Sequence, residues 1–329
     1  MRVFLTGATG FIGSHLARKL IARGDTAVCL VRDPGKAVEL KQMGAELVAG
    51  DITNRASLKP AMQGADAVVH LAGMYELGRR YFDRMRAINV DGARNTLETA
   101  AELGIPRIIH TSTVGVFGNT RQQVVDESYH IWKSQLPSEY ERTKWEAHYE
   151  VAVPLQQKGA PLIITQPGGV TGAGDTSPHA VLFDFFLNHM PIMFGARSGV
   201  TFAHVDDIAD GHILALEKGK PGESYILAGP PITYKQVMEL CEKATGIAGP
   251  KIWLPDRMAG LNARLLAPIE RMGIHIPMLS AESLQTLDHY TFWATADKAR
   301  RELGWQTRPL EETFKEVLAD RLKKRKRGN

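Results

Sequence analysis

Cysteine is scarce in this sequence, with only Cys29 and Cys241 among 329 residues. Two cysteines cannot build a disulfide framework, and no Cys/His spacing typical of a zinc site accompanies them. No apolar run reaches the roughly 18 residues that a membrane-spanning helix needs. The first segment, MRVFLTGATGFIG, contains three glycines where a signal peptide has an unbroken apolar stretch. These absences exclude disulfide- or metal-stapled modules, predict no metal site and favour a reducing cytoplasm.

Excess charge is also scarce once its position is considered. The net charge of +4 comes from 40 basic and 36 acidic residues. Residues 321–329, RLKKRKRGN, contain six of the basic residues and no acidic one, which leaves 34 basic against 36 acidic residues elsewhere. We therefore expect residues 321–329 to be a solvated tail, with a weak anchor to anionic lipid as the alternative. No recognition fold supports nucleic acid as a partner.

The first half of the chain alternates between short apolar runs and amphipathic segments. Strands are predicted at 2–6, 26–32, 46–50, 66–71, 106–112 and 161–166. Helices are predicted at 12–23, 84–103, 233–245 and 281–290. Apolar runs in alternation with helices are typical of a parallel sheet that helices cover on both faces. The predicted fold class is therefore α/β, a doubly wound parallel Rossmann sheet with a smaller, mostly helical domain.

A glycine-rich turn joins the first strand to the first helix. Residues 6–13, TGATGFIG, directly follow the strand and open the helix. Glycines let the backbone approach a pyrophosphate closely, and the helix N-terminus supplies unpaired N–H donors. This context predicts a dinucleotide site, with a glycine-rich turn without ligand as the alternative. The residues predicted to bind the cofactor here are Gly7, Thr9, Gly10, Phe11, Ile12 and Gly13.

The end of the second strand indicates which dinucleotide is bound. An acidic residue at this point accepts hydrogen bonds from ribose hydroxyls, whereas an arginine favours the 2′-phosphate of NADP. Arg32 stands here, with Lys36 close behind, and the pair predicts NADP. Asp33 leaves NAD as the alternative, because a shift of one residue would present a carboxylate. A merely solvated Arg32 is a further alternative.

Two more strand ends supply predicted cofactor contacts. Asp51 and Ile52 follow the third strand and are expected beside the adenine ring, although Asp51 could instead cap a helix. Leu71, Ala72 and Gly73 follow the fourth strand, where small residues leave room for the cofactor.

The pattern changes after about residue 170, where loops that contain Gly and Pro separate helical pieces. We expect residues 1–165 to form the NADP-binding domain, to which the chain returns at about 198–228. Residues 166–197 and 229–320 are expected to form a substrate-binding domain over the carboxyl edge of the sheet. Residues 321–329 form the basic tail of this division. At roughly 150 residues per domain, the chain length agrees with two domains.

Several motifs together resemble the extended short-chain dehydrogenase/reductases, the NAD-dependent epimerase/dehydratase family. They are TGATGFIGSHL, the Asp51–Ile52 pair, HLAG at 70–73, NVDGARN at 89–95, YERTK at 140–144, HVDDIADGHILALEKG at 204–219 and ARRELGW at 299–305. The resemblance covers nearly the whole chain. It looks most like the dihydroflavonol-4-reductase-like group, which includes proteins named hopanoid-associated sugar epimerases. This group implies a homodimer through the helices around 84–103 and 140–155. We also expect Pro167, Gly168 and Val170 to contact the cofactor.

Tyr140 and Lys144 lie four residues apart in a segment predicted to be helical, so they share one helix face. A free tyrosine has a pKa of about 10, and proton transfer near neutrality works best with a lower value. We expect the Lys144 ammonium and an oxidised nicotinamide to lower the pKa of Tyr140 toward neutrality. By resemblance, Thr113 is the third catalytic residue and hydrogen-bonds the substrate oxygen, with Ser112 as the alternative.

One position departs from the family pattern. Nucleotide-sugar epimerases and dehydratases usually carry an arginine four residues before the histidine of the HVDD segment, where it binds the substrate diphosphate. Val200 occupies this position, although Arg197 lies nearby. Apolar side chains of the second half suit a lipid-like, terpenoid or aromatic substrate, with core packing as the alternative. The apolar candidates are Met74, Tyr75, Phe183, Phe185, Phe186, Met190, Met193, Phe194, Met258, Leu261, Leu265 and Met278.

The leading interpretation is an NADP-dependent oxidoreductase that transfers hydride between NADPH and the carbonyl or alcohol of a hydrophobic substrate. A nucleotide-sugar epimerase or dehydratase that recycles its cofactor is the second interpretation. A non-catalytic NADP sensor is the third, although a sensor has little need for a catalytic trio. His70, His110 and His204 flank apolar strands, and we expect structural roles for them.

Overall fold

The computed structural model describes residues 1–76, 78–177, 180–255, 258 and 289–326. The first half of the chain contains β1 (Arg2–Thr6), α1 (Phe11–Ala22), β2 (Thr26–Val31), α2 (Val38–Gln42), β3 (Glu46–Ala49), α3 (Leu58–Met62), β4 (Ala67–His70), α4 (Phe82–Arg86), α5 (Gly92–Glu102), β5 (Ile108–Thr111), α6 (Glu139–Trp145), α7 (Val153–Gln157) and β6 (Leu162–Pro167). The second half contains β7 (Gly169–Thr171), α8 (Val181–Leu187), β8 (Ile192–Met193), β9 (Gly199–His204), α9 (Val205–Lys218), β10 (Ser224–Leu227), β11 (Pro231–Thr233), α10 (Tyr234–Thr245), β12 (Ile252–Trp253), β13 (Thr291–Phe292), α11 (Asp297–Leu303) and α12 (Leu310–Lys326).

Seven parallel strands form the central sheet in the order β10-β6-β5-β4-β1-β2-β3. Successive residues of each strand face opposite sides, and both sides are buried. Leu5 packs in one cluster with Leu16 of α1 and Ile208 of α9, and Phe4 packs in another with Leu97 of α5. Apolar side chains on both faces are what a parallel sheet between helices requires. The predicted doubly wound parallel sheet is confirmed.

The sequence predicted that 161–166 is the last strand of the central sheet, but the sheet contains one more. The seventh strand, β10, pairs in parallel with β6 and is reached through β9 and α9. The alternation of strand and helix therefore continues after residue 170. Four residues are too few to show a clear period, which is why the sequence did not identify this strand.

Segment 84–103 is not one regular helix either. A π-helical turn over Ala87–Asp91 separates α4 from α5, and a second one over Glu146–Ala152 separates α6 from α7. A π turn inserts one extra residue into a helix and frequently occurs near functional sites. The first π turn overlaps the family motif NVDGARN at 89–95. The second begins two residues after Lys144, which is predicted to be catalytic.

A smaller sheet covers the carboxyl end of the central one. It has the order β11-β9-β13, and β7 pairs with the same strand β9. Its core contains the rings of Phe183, Phe202 and Phe314, whose centroids lie 5.3 to 6.4 Å apart. The helix predicted at 281–290 falls almost entirely outside the described residues.

The last helix runs through the predicted boundary at residue 321. α12 continues to Lys326, and the side chain of Arg321 is only 15% exposed. Arg321 and Arg325 both donate hydrogen bonds to the segment around α8. The interpretation of 321–329 as a solvated end is therefore wrong for Arg321, which is largely covered, and for the guanidinium of Arg325, which binds the end of α8, whereas Lys323, Lys324 and Lys326 are exposed as expected.

The scarce cysteines are core residues. Cys29 and Cys241 are both buried and unpaired. Burial raises the pKa of each thiol to about 12, so both stay neutral near pH 7. Across the part of the chain that the structure describes, no helix combines the length and apolarity needed to cross a bilayer.

Candidate active site

A cavity of about 580 Å³ opens at the carboxyl ends of β1, β4, β5 and β6. In open α/β sheets, ligands bind at the carboxyl ends of the strands, at the point where the strand order reverses. Most of the predicted site residues meet here. Those that line the cavity are Gly7, Gly10, Phe11, Ile12, Gly13, Leu71, Gly73, Ser112, Thr113, Tyr140, Lys144, Pro167, Gly168 and Val170.

The other predicted cofactor residues do not line this cavity. They are Thr9, Arg32, Lys36, Asp51, Ile52 and Ala72. Ile52 is 7% exposed and packs in the core against Gly92. Asp51 accepts hydrogen bonds from the N–H and the hydroxyl of Thr53, both at 2.8 Å, and so closes a local turn; it does not cap the helix that begins at Arg55, whose N-cap is Asn54.

The glycine turn is shaped by close backbone packing. Gly7 has φ of +74°, and a side chain there would place Cβ 2.6 Å from the backbone nitrogen of Ala72. A Cβ at Gly13 would collide with the carbonyl oxygen of Gly7. Gly10 begins α1 without a side-chain cap, and the first turn of the helix has no acidic residue. The unpaired backbone N–H groups in the first turn of α1 can therefore bind phosphate oxygens, so the turn fits a dinucleotide.

The charged residues after β2 divide into two kinds. Asp33 accepts the N–H of Gly35 at 2.9 Å and lies 3.6 Å from the ammonium of Lys36. Its carboxylate therefore stabilises the local turn. Arg32 is exposed, and the described residues include no ion-pair partner for it. Its guanidinium is available to an anionic ligand.

Tyr140 and Thr113 line the cavity together, and the Thr113 side chain lies close enough to favour the ionised form of the phenol. The Thr113 hydroxyl also accepts the N–H of Gly115 at 3.1 Å, which caps the short turn after β5. Burial raises the pKa of Tyr140 to about 12; the Thr113 contact opposes this shift and the charge of Glu141 adds to it. We expected a lowered pKa from Lys144 and an oxidised nicotinamide. In the chain alone, burial is the largest cause of the shift, and Tyr140 keeps its proton at neutral pH.

Lys144 contacts the strand rather than the tyrosine. Its ammonium donates to the backbone oxygen of Thr111 at 2.7 Å, and the side chain is buried. Burial lowers the pKa of Lys144 to about 8. The ammonium is therefore still mostly protonated at neutral pH, at the end of β5.

His148 is a neighbour of the site that the sequence reasoning missed. It lies one helical turn after Lys144, and its Nδ1 forms a hydrogen bond of 2.8 Å with the hydroxyl of Ser112. Burial lowers the pKa of His148 to about 3, so the imidazole is neutral. The spacing of four residues from Lys144 was the available signal, because it puts both side chains on one helix face.

The arrangement of Asn89 and Tyr75 is a second feature that the sequence did not predict, although both residues belong to sets named there. Asn89 lies in the π turn Ala87–Asp91, accepts the N–H of Met74 at 2.7 Å and donates to its carbonyl oxygen at 2.9 Å. The next residue, Tyr75, stacks on Tyr140 with ring centroids 4.1 Å apart and planes at 18°. The loop after β4 is thus held so that an aromatic ring covers Tyr140.

The three histidines assigned structural roles lie in the core, outside the cavity lining. His70 shares a hydrogen bond of 2.8 Å with Thr6, and its pKa is lowered by burial to about 3. His110 stacks on His70 at 5.6 Å. His204 caps α9 by accepting a backbone N–H at 3.1 Å.

Apolar side chains from the second half line the far side of the cavity. They are Val181, Leu182, Phe185, Val200, Tyr234 and Phe292. Of the apolar candidates, Met74, Tyr75 and Phe185 line the cavity, whereas Phe183, Phe186 and Met193 are core residues. Phe194 is half-buried, Met190 and Met258 are exposed, and Leu261, Leu265 and Met278 lie outside the described residues. Arg197 is exposed and does not line the cavity.

Comparison with known proteins agrees with this geometry. Residues 3–228 match the family described as NAD dependent epimerase/dehydratase family. The chain is 31% identical to a putative dihydroflavonol 4-reductase of Synechocystis sp. (strain ATCC 27184 / PCC 6803 / Kazusa), over 96% of this chain and 92% of the relative. It is 30% identical to 4-hydroxy-2-methyl-3-oxo-4-farnesyl-3,4-dihydroquinoline-1-oxide ketoreductase of Stigmatella aurantiaca, over 94% and 92%.

A solved structure extends the likeness to three dimensions. The crystal structure of gox2253 is 32% identical, with a TM-score of 0.85 over 99% of this chain and 98% of that one. The family match, the relatives and the fold all agree with the resemblance seen in the sequence. The chain belongs to the NAD dependent epimerase/dehydratase family and is an NAD(P)-dependent extended short-chain dehydrogenase/reductase of the dihydroflavonol 4-reductase-like group.

Proposed function

We propose that this chain is an NADP-dependent oxidoreductase that transfers hydride between NADPH and a carbonyl or alcohol of a hydrophobic substrate. The substrate class is terpenoid, lipid-like or aromatic. The observation that carries the proposal is that Thr113, Tyr140 and Lys144 line one cavity with two unlike sides. The glycine turn forms one side, and apolar side chains form the other.

The residues around Tyr140 divide the work of the reaction. A bound nicotinamide supplies the hydride. Thr113 and Tyr140 hydrogen-bond the substrate oxygen, and Tyr140 donates its proton as negative charge develops on that oxygen. With a pKa of about 12, Tyr140 carries this proton at neutral pH. Ser112 is engaged by His148 at 2.8 Å, which supports Thr113 as the hydroxyl that contacts substrate.

Lys144 stabilises the charge that the proton transfer leaves on Tyr140. A pKa of about 8 keeps most of the lysine cationic at neutral pH, and an ammonium in a buried site attracts a phenolate strongly. The same ammonium is expected to hydrogen-bond the ribose of the cofactor.

The preference for NADP rests on the residues after β2. Asp33 is occupied by the N–H of Gly35, whereas Arg32 is exposed and lacks an ion-pair partner within the described chain. An arginine in this place matches the 2′-phosphate by charge-assisted, bidentate hydrogen bonds. Asp33 would repel the same phosphate, but its carboxylate is turned into the local cap.

The apolar far side of the cavity supports a hydrophobic substrate. Val181, Leu182 and Phe185 present no charge that could bind a diphosphate. The ketoreductase of Stigmatella aurantiaca, 30% identical, is named for a substrate with a farnesyl group on an aromatic ring system. A substrate of that class would remove much apolar surface from water in such a cavity.

A nucleotide-sugar epimerase or dehydratase is the second candidate, because the matched family includes both activities. Such an enzyme returns its cofactor to the starting state after each turnover. Val200, which is 2% exposed, stands where the diphosphate-binding arginine of these enzymes would be. Arg197 is exposed and outside the cavity lining. Both observations favour the reductase.

A spectrophotometric screen tests the proposal. The purified chain is mixed with terpenoid, long-chain and aromatic ketones and aldehydes, with NADPH and NADH in parallel. We expect net loss of NADPH absorbance with at least one hydrophobic carbonyl and slower loss of NADH. A cofactor that copurifies and is never consumed, together with binding of UDP, would instead establish the epimerase. Binding of NADPH with no turnover of either substrate class would indicate a sensor.

A further inference from the structure

The apolar side of the cavity depends on a short helix. α8 spans only seven residues, Val181–Leu187, and contributes Val181, Leu182 and Phe185 to the cavity. Isolated helices of this length do not persist in water, so tertiary contacts must hold α8 in place. Its opposite face packs Phe183 and Phe186 into the core. Apolar packing alone permits sliding, which makes the polar contacts of α8 informative.

Those polar contacts come from the basic end of α12. The guanidinium of Arg321 binds the carboxylate of Asp184 on α8 and donates to the backbone oxygen of Asp175 at 2.9 Å. Arg325 donates to the backbone oxygen of Leu187 at 2.8 Å and to the side-chain oxygen of Asn188 at 3.0 Å. A cation at the last carbonyls of a helix also complements the helix dipole.

The preceding turn of α12 binds the other end of the same segment. Asp320 accepts the N–H of Gly174 at 2.9 Å. Glu316 accepts the N–H of Ala173 at 3.4 Å. Ala173 and Gly174 follow Val170, which lines the cavity beside the glycine turn. α12 thus holds both the start of this segment, after β7, and its end, after α8.

The pattern of the basic residues separates two roles. Arg321 and Arg325 lie four apart and share the face of α12 that meets α8. Lys323 and Lys326 are exposed, and Lys324 pairs with Asp320 on its own helix at 2.8 Å. If all of these basic residues were solvated or bound lipid, two of them would have no reason to contact the segment around α8 while the others do not. The two arginines therefore act within the protein.

We infer that Arg321 and Arg325 are positioning residues for the substrate site. They fix α8 so that Leu182 and Phe185 form the apolar side of the cavity against Tyr140 and Thr113. This inference rests on the proposed function, because it assigns the substrate to that side. It places a determinant of substrate affinity in the basic C-terminal segment, more than 130 residues from α8 along the chain.

Hydrogen exchange of the whole protein tests the positioning directly. Loss of both charged hydrogen bonds in Arg321→Gln should raise amide exchange of residues 181–188 by about tenfold. Exchange in β1 and α1 should stay unchanged. Lys323→Gln is the matched control, since it removes the same charge from the same helix without a contact. Arg321→Lys keeps the charge but makes fewer of the bonds, and should fall between the two.

Steady-state kinetics connect the positioning to the site. With a carbonyl compound that the screen identifies, Arg321→Gln and Arg325→Gln should each raise the KM for that compound about tenfold. The KM for NADPH and the kcat should change little. A charge exchange, Arg321→Asp with Asp184→Arg, should recover part of the lost affinity and slow the exchange of α8 again.

Several results would overturn the inference. They are equal exchange of α8 in Arg321→Gln and Lys323→Gln, a uniform acceleration over the whole chain, or an unchanged KM for the carbonyl compound. If Arg321→Gln does not fold, Arg325→Gln and Arg321→Lys carry the same comparison. If no carbonyl compound is reduced, the proposed function fails, while the exchange measurement still decides whether the arginines position α8.

Discussion

The two sides of the cavity are held by different forces. On the cofactor side, Gly7 and Gly13 bring backbone atoms of β1, α1 and the loop after β4 into direct contact. On the substrate side, Arg321 and Arg325 reach α8 through side chains, across 137 and 138 residues. Backbone contact leaves no room for adjustment, whereas a side-chain pair can lengthen or exchange partners. We conclude that the cofactor side tolerates little change and that the substrate side can be tuned.

The largest effect is expected where the two sides meet. Tyr140→Phe should lower the kcat for carbonyl reduction by about a thousandfold, because the proton donor is lost. Neither side should move, so the Kd for NADPH and the urea midpoint should match those of the parent. Tyr149→Phe, on the same helical segment, is the control and should retain activity. A Tyr140→Phe enzyme within tenfold of the parent rate would remove Tyr140 from the mechanism.

The second effect tests the rigidity of the cofactor side. Gly13→Ala places a Cβ against the carbonyl oxygen of Gly7, and α1 must move away from the backbone of the glycine turn. We expect the free energy of unfolding to fall by about 3 kcal/mol and NADPH binding to be lost. Gly249→Ala is the control, since its Cβ meets nothing closer than 3.4 Å. Urea denaturation compares the stability of the two variants, and isothermal titration calorimetry compares their binding of NADPH. Equal stability of both variants would contradict a rigid glycine turn.

The third effect concerns acid. Burial lowers the pKa of His70 and His148 to about 3 and that of His212 to about 4. All three stay neutral in the folded chain, whereas the unfolded chain takes up protons below about pH 6.5. Above this pH these histidines are neutral in both the folded and the unfolded chain, so they do not lower the free energy of unfolding there. As the pH falls below about 6.5, the free energy of unfolding decreases by about 1.4 kcal/mol per unit for each of these histidines, down to about pH 4 for His212 and about pH 3 for His70 and His148.

Urea denaturation over a series of pH values measures this slope. His148→Asn, which keeps a polar atom near the Ser112 hydroxyl, should reduce the slope by the share of one histidine. An exposed residue that carries no titratable group provides the control: Gln63→Asn should leave the slope unchanged. A slope that is the same in all three proteins would mean that His148 is not buried as a neutral imidazole.

The smallest effect sharpens the comparison within the cofactor side. Arg32→Ala should raise the KM for NADPH about tenfold through loss of its bonds to the 2′-phosphate. The KM for NADH should not change. Lys41→Ala removes an exposed charge nearby and should alter neither value. If Arg32→Ala affects both cofactors equally, the arginine does not select the phosphate.

The sequence predicts much more of the cofactor side than of the substrate side. Strand periods and the glycine turn are local patterns, and they led to the parallel sheet and to most residues of the cavity. β10 was missed because four residues show no period, and the π turns because one extra residue barely disturbs the pattern. The homodimer, the domain boundaries and lipid contact of the basic end stay predictions.

Long-range contacts and desolvation were the information that the sequence lacked. Nothing near Arg321 in the chain indicates Asp184 as its partner, so its charge looked solvated. The pKa of Tyr140 was expected to fall because only charges were weighed. Burial acts in the opposite direction, and its size depends on packing by distant residues such as Tyr75. His148 could have been found from its spacing to Lys144.

The order of synthesis gives the contact between α12 and α8 a temporal meaning. Asp184 is translated 137 residues before Arg321. At typical rates of 5 to 20 residues per second, roughly ten seconds pass between the two on the ribosome. At the start of this interval the glycine turn and β1 to β6 are already synthesised, and β10 follows within it. The whole central sheet is therefore synthesised before the residues that fix α8 on the substrate side.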